Sequence, residues 1–447
     1  MSDGKISFPW WLPVLSLIGY YIIGYHSARH EFLPLILVYT LLFIGYLWIY
    51  QKAQSTKQVD AAIYASILFR LSLLLAIPNL SDDFYRFIWD GHLFNAGISP
   101  FSQLPSDLIT NSSPPPGIEE ELYKKLNSPG YFTVYPPLNQ VIFWLSTYLF
   151  PTSISGSVLV MRVFILAAEF GTINLMRKLL RANQMPENNA LLYALNPLVI
   201  IELTGNLHFE ALVILFLIWS LFALYRTKLV AAAVTLGLSI GSKLVPLIFL
   251  PLLLKRLSLK KLSIFYGVVA VALLILFAPL LFDPSFISGM SHSLSLYFQK
   301  FEFNASIYYV IREIGFAVKG YNIIATSGKG LALATLIGIL TYSLLQKPKV
   351  QPLSQAMLWA LTIYLGFATT IHPWYVAPLV ALAVLGRFRF PILWSFLIFF
   401  TYIGYTKTGF EENLAIVGME YLLVAAVAVW EIYYPSENRE RIVTINS

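Results

Sequence analysis

Two adjacent carboxylates, Asp82 and Asp83, stand directly after an apolar stretch that ends near Leu80, and a third acid, Asp90, follows in the next two turns. Acids at a membrane surface are costly to keep unpartnered and are not needed for packing. A positioned carboxylate can instead take the proton of an acceptor hydroxyl in a group transfer. A leaving group that departs with negative charge then needs Lys, Arg or His close to it. Ser81 or Asp82 suits a helix N-cap, the residues to about Phe94 suit the helix, Gly97 ends it and Pro100 prevents its resumption. At 3.6 residues per turn Asp83, Arg86 and Asp90 share one face, with Asp82 turned by about a quarter circle. The competing explanation is that the acids complement the helix dipole and that Arg86 pairs with Asp83 or Asp90.

Other polar residues interrupt apolar sequence. Glu202 and Asn206 end one stretch, and His208 and Glu210 open the next; the spacing of His208 and Glu210 is not that of a helical zinc site. Lys243 lies between Gly241 and Pro246 at an expected helix break, where a lysine could hold a phosphate as a point charge. His372 precedes Pro373 and Trp374 and is placed to reach the same end of the bundle as Glu202, Asn206, His208 and Glu210. Arg162 and Glu169 are expected to pair with neighbouring helices, and Arg70 to answer an acid elsewhere. Asn111 and Asn304 begin Asn-X-Ser sequences that match the glycosylation pattern.

The elements that must hold these groups belong to a bilayer. The 447 residues are 57% hydrophobic and only 12% charged, with a mean hydropathy of +0.69. A soluble protein of that size could not bury so much apolar surface, which makes this an all-α polytopic membrane protein. Apolar stretches occur at 8–25, 32–50, 60–79, 158–180, 190–205, 208–225, 229–253, 263–282, 330–346, 355–371, 374–386, 391–404 and 414–434. They predict about 11–14 transmembrane or half-membrane helices. Residues 138–150 are short for a crossing: if they do not cross, 229–253 is expected to be a hairpin of two half-helices that turns near Gly241–Pro246, the version the charges favour, and if they do, 229–253 is one long span. Basic turns, among them 177–181, 226–228 and 255–261, are expected on the cytoplasmic side, which puts the large loop 80–136 outside. The absence of cysteine excludes disulfides, thiol nucleophiles and iron–sulfur clusters. The net charge of +7 sits mostly in those short turns and gives no reason to expect a nucleic-acid partner.

The motifs DFYRFIWDG, AGISPF and VYPPLNQ, in that order across residues 83–140, resemble the first external loop of GT-C glycosyltransferases. The likeness is to polyprenyl-phosphate-mannose-dependent mannosyltransferases, including the enzyme that adds the first mannose of the GPI anchor. ALNPL at 194–198, ELTGNLHFE at 202–210, SKLVP at 242–246, FEFNASIYY at 301–309 and HPWY at 372–375 are similar to its bacterial branch. This chain has Asp-Asp where the family has Asp-X-Asp, and alignment on the SPF turn puts Asp83 on the second acid. The resemblance implies a GT-C fold with a pair of N-terminal helices (1–58), a core carrying the catalytic loop (59–282) and C-terminal helices that complete the donor cleft (283–447). It implies an inverting transfer of a hexose, with mannose expected, from a polyprenyl-phosphate sugar to a glycan or lipid acceptor at the outer face of the cell membrane. Asp83 is the expected base, and Asp82 would orient it or the acceptor. Arg86, Asp90, Tyr135, Glu202, Asn206, His208, Glu210, Lys243, Asn304, His372, Trp374 and Tyr375 are the expected substrate contacts. No cofactor is implied beyond an optional divalent Mg or Mn ion; membrane lipids are the other expected partners. A lipid-linked-sugar flippase or secondary transporter is the rival class, and it would thread polar residues through the full membrane thickness. Here they gather on one side.

Overall fold

Long runs without charge leave the backbone to satisfy its own hydrogen bonds, and the computed structural model answers with helices almost throughout. It describes residues 9–110, 114–348 and 350–434. Among them no sheet forms, only two isolated bridges, Phe303 with Thr370 and Tyr405 with Phe410. Five helices are long and apolar enough to cross a membrane: Phe32–Lys52, Ile154–Ala182, Leu259–Leu281, Ile324–Leu345 and Leu414–Tyr433. Shorter apolar helices, including Leu229–Ser242 and Leu353–Phe367, lie between them. The buried apolar side chains from Leu12 to Ala428 join into one main core.

Two stretches depart from the expected spans. Residues 190–205 do not make one rod. Asn196 breaks them, its side-chain oxygen accepting from the backbone N–H of Leu198 and Val199 at 3.0 and 3.4 Å, and a π-helical turn, Ile200–Gly205, follows. Helix Glu210–Tyr225 then leaves at 117° to the segment Pro197–Gly205. The third helix also stops early, at Ser72, and Asn79 ties the chain beyond it to the carbonyls of Ile23 and Ser27 at 2.7 and 2.6 Å.

Charges inside the bundle find partners, as their cost demands. Arg70 donates to Glu169 at 2.8 Å, both fully buried, and Tyr193 donates to the same carboxylate. Arg162 meets no acid. It donates to the carbonyls of Leu74, Thr204 and Gly205 at 2.9, 2.8 and 3.0 Å, and so holds the π-helical turn. The large loop contains helix Asp83–Asn95, which packs on helix Pro137–Leu149. Phe87 and Phe143 stack at 4.6 Å, and the backbones approach so closely at Gly91 that a Cβ there would lie 2.3 Å from the Phe143 carbonyl oxygen.

Candidate active site

Helix Asp83–Asn95 starts where expected, but neither Ser81 nor Asp82 caps it in the standard way. Asp82 turns aside to Arg29, 2.6 Å away, in the turn between the first two helices. Asp83 points elsewhere. Its carboxylate accepts from Asn127 Nδ2 at 2.7 Å and from the Tyr135 hydroxyl at 3.4 Å, with His208 Nε2 at 3.9 Å. About a fifth of the side chain remains open (21%). Burial and the adjacent Asp83 charge raise the Tyr135 phenol well above its ordinary value, so it stays a donor to that carboxylate.

Of the two partners open to Arg86, the structure selects Asp90, at 2.8 Å. Arg86 also donates to the carbonyls of Tyr131 and Ser128 at 2.8 and 3.3 Å. Gln140 donates to Asp90, Thr133 and the Tyr135 carbonyl. Together these bonds clamp residues 128–135 over the helix and bring Tyr135 to Asp83. One guanidinium nitrogen of Arg86, Nη2, is buried with no hydrogen-bond partner.

The bend after the π-helical turn delivers His208. Leu207 takes a left-handed conformation (φ 62°), an arrangement that costs roughly 1–3 kcal/mol and persists only where its surroundings impose it. His208 Nδ1 lies 2.9 Å from the Glu202 carbonyl oxygen. Glu202 itself is fully buried and accepts from Tyr402 at 2.8 Å and Asn206 at 3.1 Å. Three further rings extend from His208: Trp374 at 3.5 Å, then His372, 4.5 Å from Trp374, then Phe303, 4.6 Å from His372. The bridge between Phe303 and Thr370, with Ile371 N–H donating to the Phe303 carbonyl at 2.8 Å, fixes that column's far end. Burial, with His208 and Lys243 nearby, pushes the His372 imidazole down to about 3. It is neutral at ordinary pH and meets a ligand as a hydrogen-bonding ring without charge.

Lys243 sits in extended conformation at the break between helix Leu229–Ser242 and the 3-10 segment Val245–Leu253. Its ammonium pairs with Glu210 in the first turn of helix Glu210–Tyr225 and lies 3.7 Å from the centre of the Tyr375 ring.

A cleft of about 320 Å³ collects Asp83, Arg86, Tyr135, His208, Glu210, Lys243, His372, Trp374 and Tyr375. Asn127, Tyr131, Asn139 and Thr370 also line it, and sequence reasoning did not select them. Asn127, Tyr131 and Thr370 lie in loops that follow no periodicity, Asn139 opens helix Pro137–Leu149, and only chain closure brings them to the start of helix Asp83–Asn95. Asp82, Asp90, Glu202, Asn206 and Asn304 do not line the cleft. Asn304 is fully buried, donates to Glu420 at 3.2 Å and accepts from Tyr421 through its carbonyl, which leaves no room for a glycan. Asn111 lies outside the described residues. Because Asp82 and Asp83 diverge to different partners, they do not converge on one cation; among the described residues no group of three His, Asp or Glu stands where it could hold a metal ion.

Residues 12–257 match the family described as alpha-(1->6)-mannopyranosyltransferase, N-terminal domain. The chain belongs to this family. It is a membrane glycosyltransferase that transfers mannose. No curated protein matched the chain closely enough to report. The matched part of the mannosyltransferase supplies Asp83, His208, Glu210 and Lys243, whereas His372, Trp374 and Tyr375 come from beyond it.

Proposed function

We propose that this mannosyltransferase takes mannose from a polyprenyl-phosphate donor and passes it, with inversion at C1, to the 6-hydroxyl of a glycan or lipid-linked acceptor at the outer face of the membrane. The observation that carries the reading is Asp83: a part-open carboxylate, oriented by Asn127 and Tyr135, in a cleft that also holds Lys243 and Arg86. The acceptor O–H gives its proton to the Asp83 carboxylate while its oxygen forms the bond to C1. The C1–O bond to phosphate breaks, and polyprenyl phosphate leaves with both electrons of that bond. Inversion to an α product calls for a β-linked donor. Lys243 and the free Arg86 Nη2 suit the growing phosphate charge, and neutral His372 suits a hydrogen bond to it.

A lipid donor is supported by what adjoins the cleft. Lys243 and Tyr375 also line a narrow apolar pocket with Phe249, Leu361 and Tyr364. Tyr364 lines the next one as well, about 310 Å³ between the 3-10 segment Val245–Leu253 and helix Ile324–Leu345. An isoprenoid tail could lie along this path with its phosphate at Lys243. The outer-face assignment is supported by the basic turns at 177–181 and 226–228, which lie at the far ends of the helices that lead away from the cleft. The test is transfer by purified protein from radiolabelled polyprenyl-phosphate mannose to an α-mannoside acceptor, beside a nucleotide-sugar control. Transfer from the nucleotide sugar alone would overturn the lipid donor; a product linked elsewhere than C6 would overturn the acceptor site.

A further inference from the structure

A second concavity, of about 710 Å³, lies between the end of helix Ile154–Ala182 and the turn that joins helices Glu210–Tyr225 and Leu229–Ser242. His208 and Glu210 stand at one end of helix Glu210–Tyr225 and this concavity at the other, separated by a rise of about 24 Å. It therefore lies at the other end of that helix from the cleft, and its basic turn puts it on the cytoplasmic side by the positive-inside rule. Its lining contains Lys178, Arg181, Arg226 and Lys228, and no acid. Arg181 is held by Glu187 at 2.5 Å. Lys178, Arg226 and Lys228 have no carboxylate partner among the described residues. The turn that carries two of them is fixed: Thr227 is left-handed (φ 56°), and Lys228 N–H donates to the Ala223 carbonyl at 2.8 Å. The Tyr225 hydroxyl donates to the Ala182 carbonyl at 2.7 Å, which joins the two helix ends.

The rest of the wall is apolar. Phe222, Ala223 and Ala231 line it with Trp219, which is 44% exposed, and the same surface continues along the neighbouring helix through Val230, 56% exposed. A free anion would use the cations and leave that apolar wall in contact with nothing. A molecule with an anionic head and an apolar tail uses both. We propose that this concavity binds the headgroup of an anionic phospholipid of the inner leaflet, its phosphate among Lys178, Arg226 and Lys228 and an acyl chain against Trp219. This inference does not depend on how the cleft works.

Native mass spectrometry of the purified chain, loaded in turn with phosphatidylglycerol and phosphatidylcholine, tests it. The intact protein should retain phosphatidylglycerol in preference to phosphatidylcholine. Each cation replaced by Gln should weaken retention roughly five-fold, and the triple variant K178Q/R226Q/K228Q about a hundred-fold. Trp219→Ala should weaken retention of both lipids at this site. Thermal unfolding in lipid-free detergent should be unchanged in the Gln variants, because Lys178, Arg226 and Lys228 have no carboxylate partner among the described residues. Equal retention of the two lipids by the intact protein, or full retention of phosphatidylglycerol by the triple variant, would overturn the proposal. So would displacement of the lipid by millimolar inorganic phosphate, since the site would then read phosphate alone.

Discussion

Replacing Asp83 by Asn removes a proton acceptor and almost nothing else. Asn127 donates to Oδ1, which an asparagine retains as its carbonyl oxygen, and the new amide faces Tyr135, whose hydroxyl can turn to accept. The fold should therefore survive with its unfolding temperature little changed. A general base contributes about 10²–10⁴ in rate, or about 3–5 kcal/mol of barrier. Asp82→Asn is the control next door. It breaks an ion pair with Arg29 in which both side chains are 35% exposed. Such a pair is worth about 0–1 kcal/mol, so the rate should fall by less than about five-fold. The assay is single-turnover mannosyl transfer with saturating donor and acceptor, so that chemistry is read apart from binding. If Asp83→Asn keeps more than a tenth of the rate, or if Asp82→Asn loses as much as Asp83→Asn, the assignment of the base is wrong.

Lys243→Gln should raise the donor KM more than it lowers kcat, and E210Q/K243Q should match it, since the carboxylate only balances the lysine; an unchanged donor KM would remove the phosphate role. Glu169→Ala strands Arg70 among apolar helices and should cost about 3–5 kcal/mol, read as a lower unfolding midpoint, whereas R70M/E169L should recover most of it. The His372 imidazole has a folded value near 3, below its ordinary value near 6.5, so the unfolded chain binds more protons between those limits. Stability should fall as pH drops from about 6.5 towards 3. The slope cannot exceed the ~1.4 kcal/mol per unit of one full proton. His372→Gln should flatten that part of the profile in a melting series from pH 7 to pH 5. Gly91→Ala drives a methyl into the Phe143 carbonyl and should cost about 1–3 kcal/mol, with a matching loss of transfer as the two helices part.

The sequence was most legible where one element decided the outcome. Helix Asp83–Asn95, its stop at Gly97 (φ 71°), the break at Lys243 and the bilayer itself could all be read from local composition. It was least legible where a side chain had two plausible partners. Arg86 could have met Asp83 or Asp90, and only the clamp by residues 128–135 and Gln140 favours Asp90. Asn304 stood in a motif with the residues of the cleft, yet its left-handed backbone and its bonds to Glu412 and Glu420 make it a strut between distant helices. Residues 190–205 read as a span because their side chains are apolar. The Asn-Pro step at 196–197 and the carbonyls gathered by Arg162 bend them instead. The rival transporter reading required a polar route through the membrane. Arg70 and Glu169, both fully buried, are sealed against each other.

The ring column has a practical consequence. Trp374, His372 and Phe303 stack outward in turn from His208 and come from a part of the chain that the family match does not reach. A fragment ending at residue 257 would carry Asp83 and Lys243, the proposed base and phosphate contact, but only His208 of the ring column. Any attempt to harvest the matched portion as a minimal catalyst, or to splice it to a foreign C-terminal half, should yield a protein that turns over nothing, since Leu361, Tyr364 and helix Ile324–Leu345 of the proposed lipid path are missing as well.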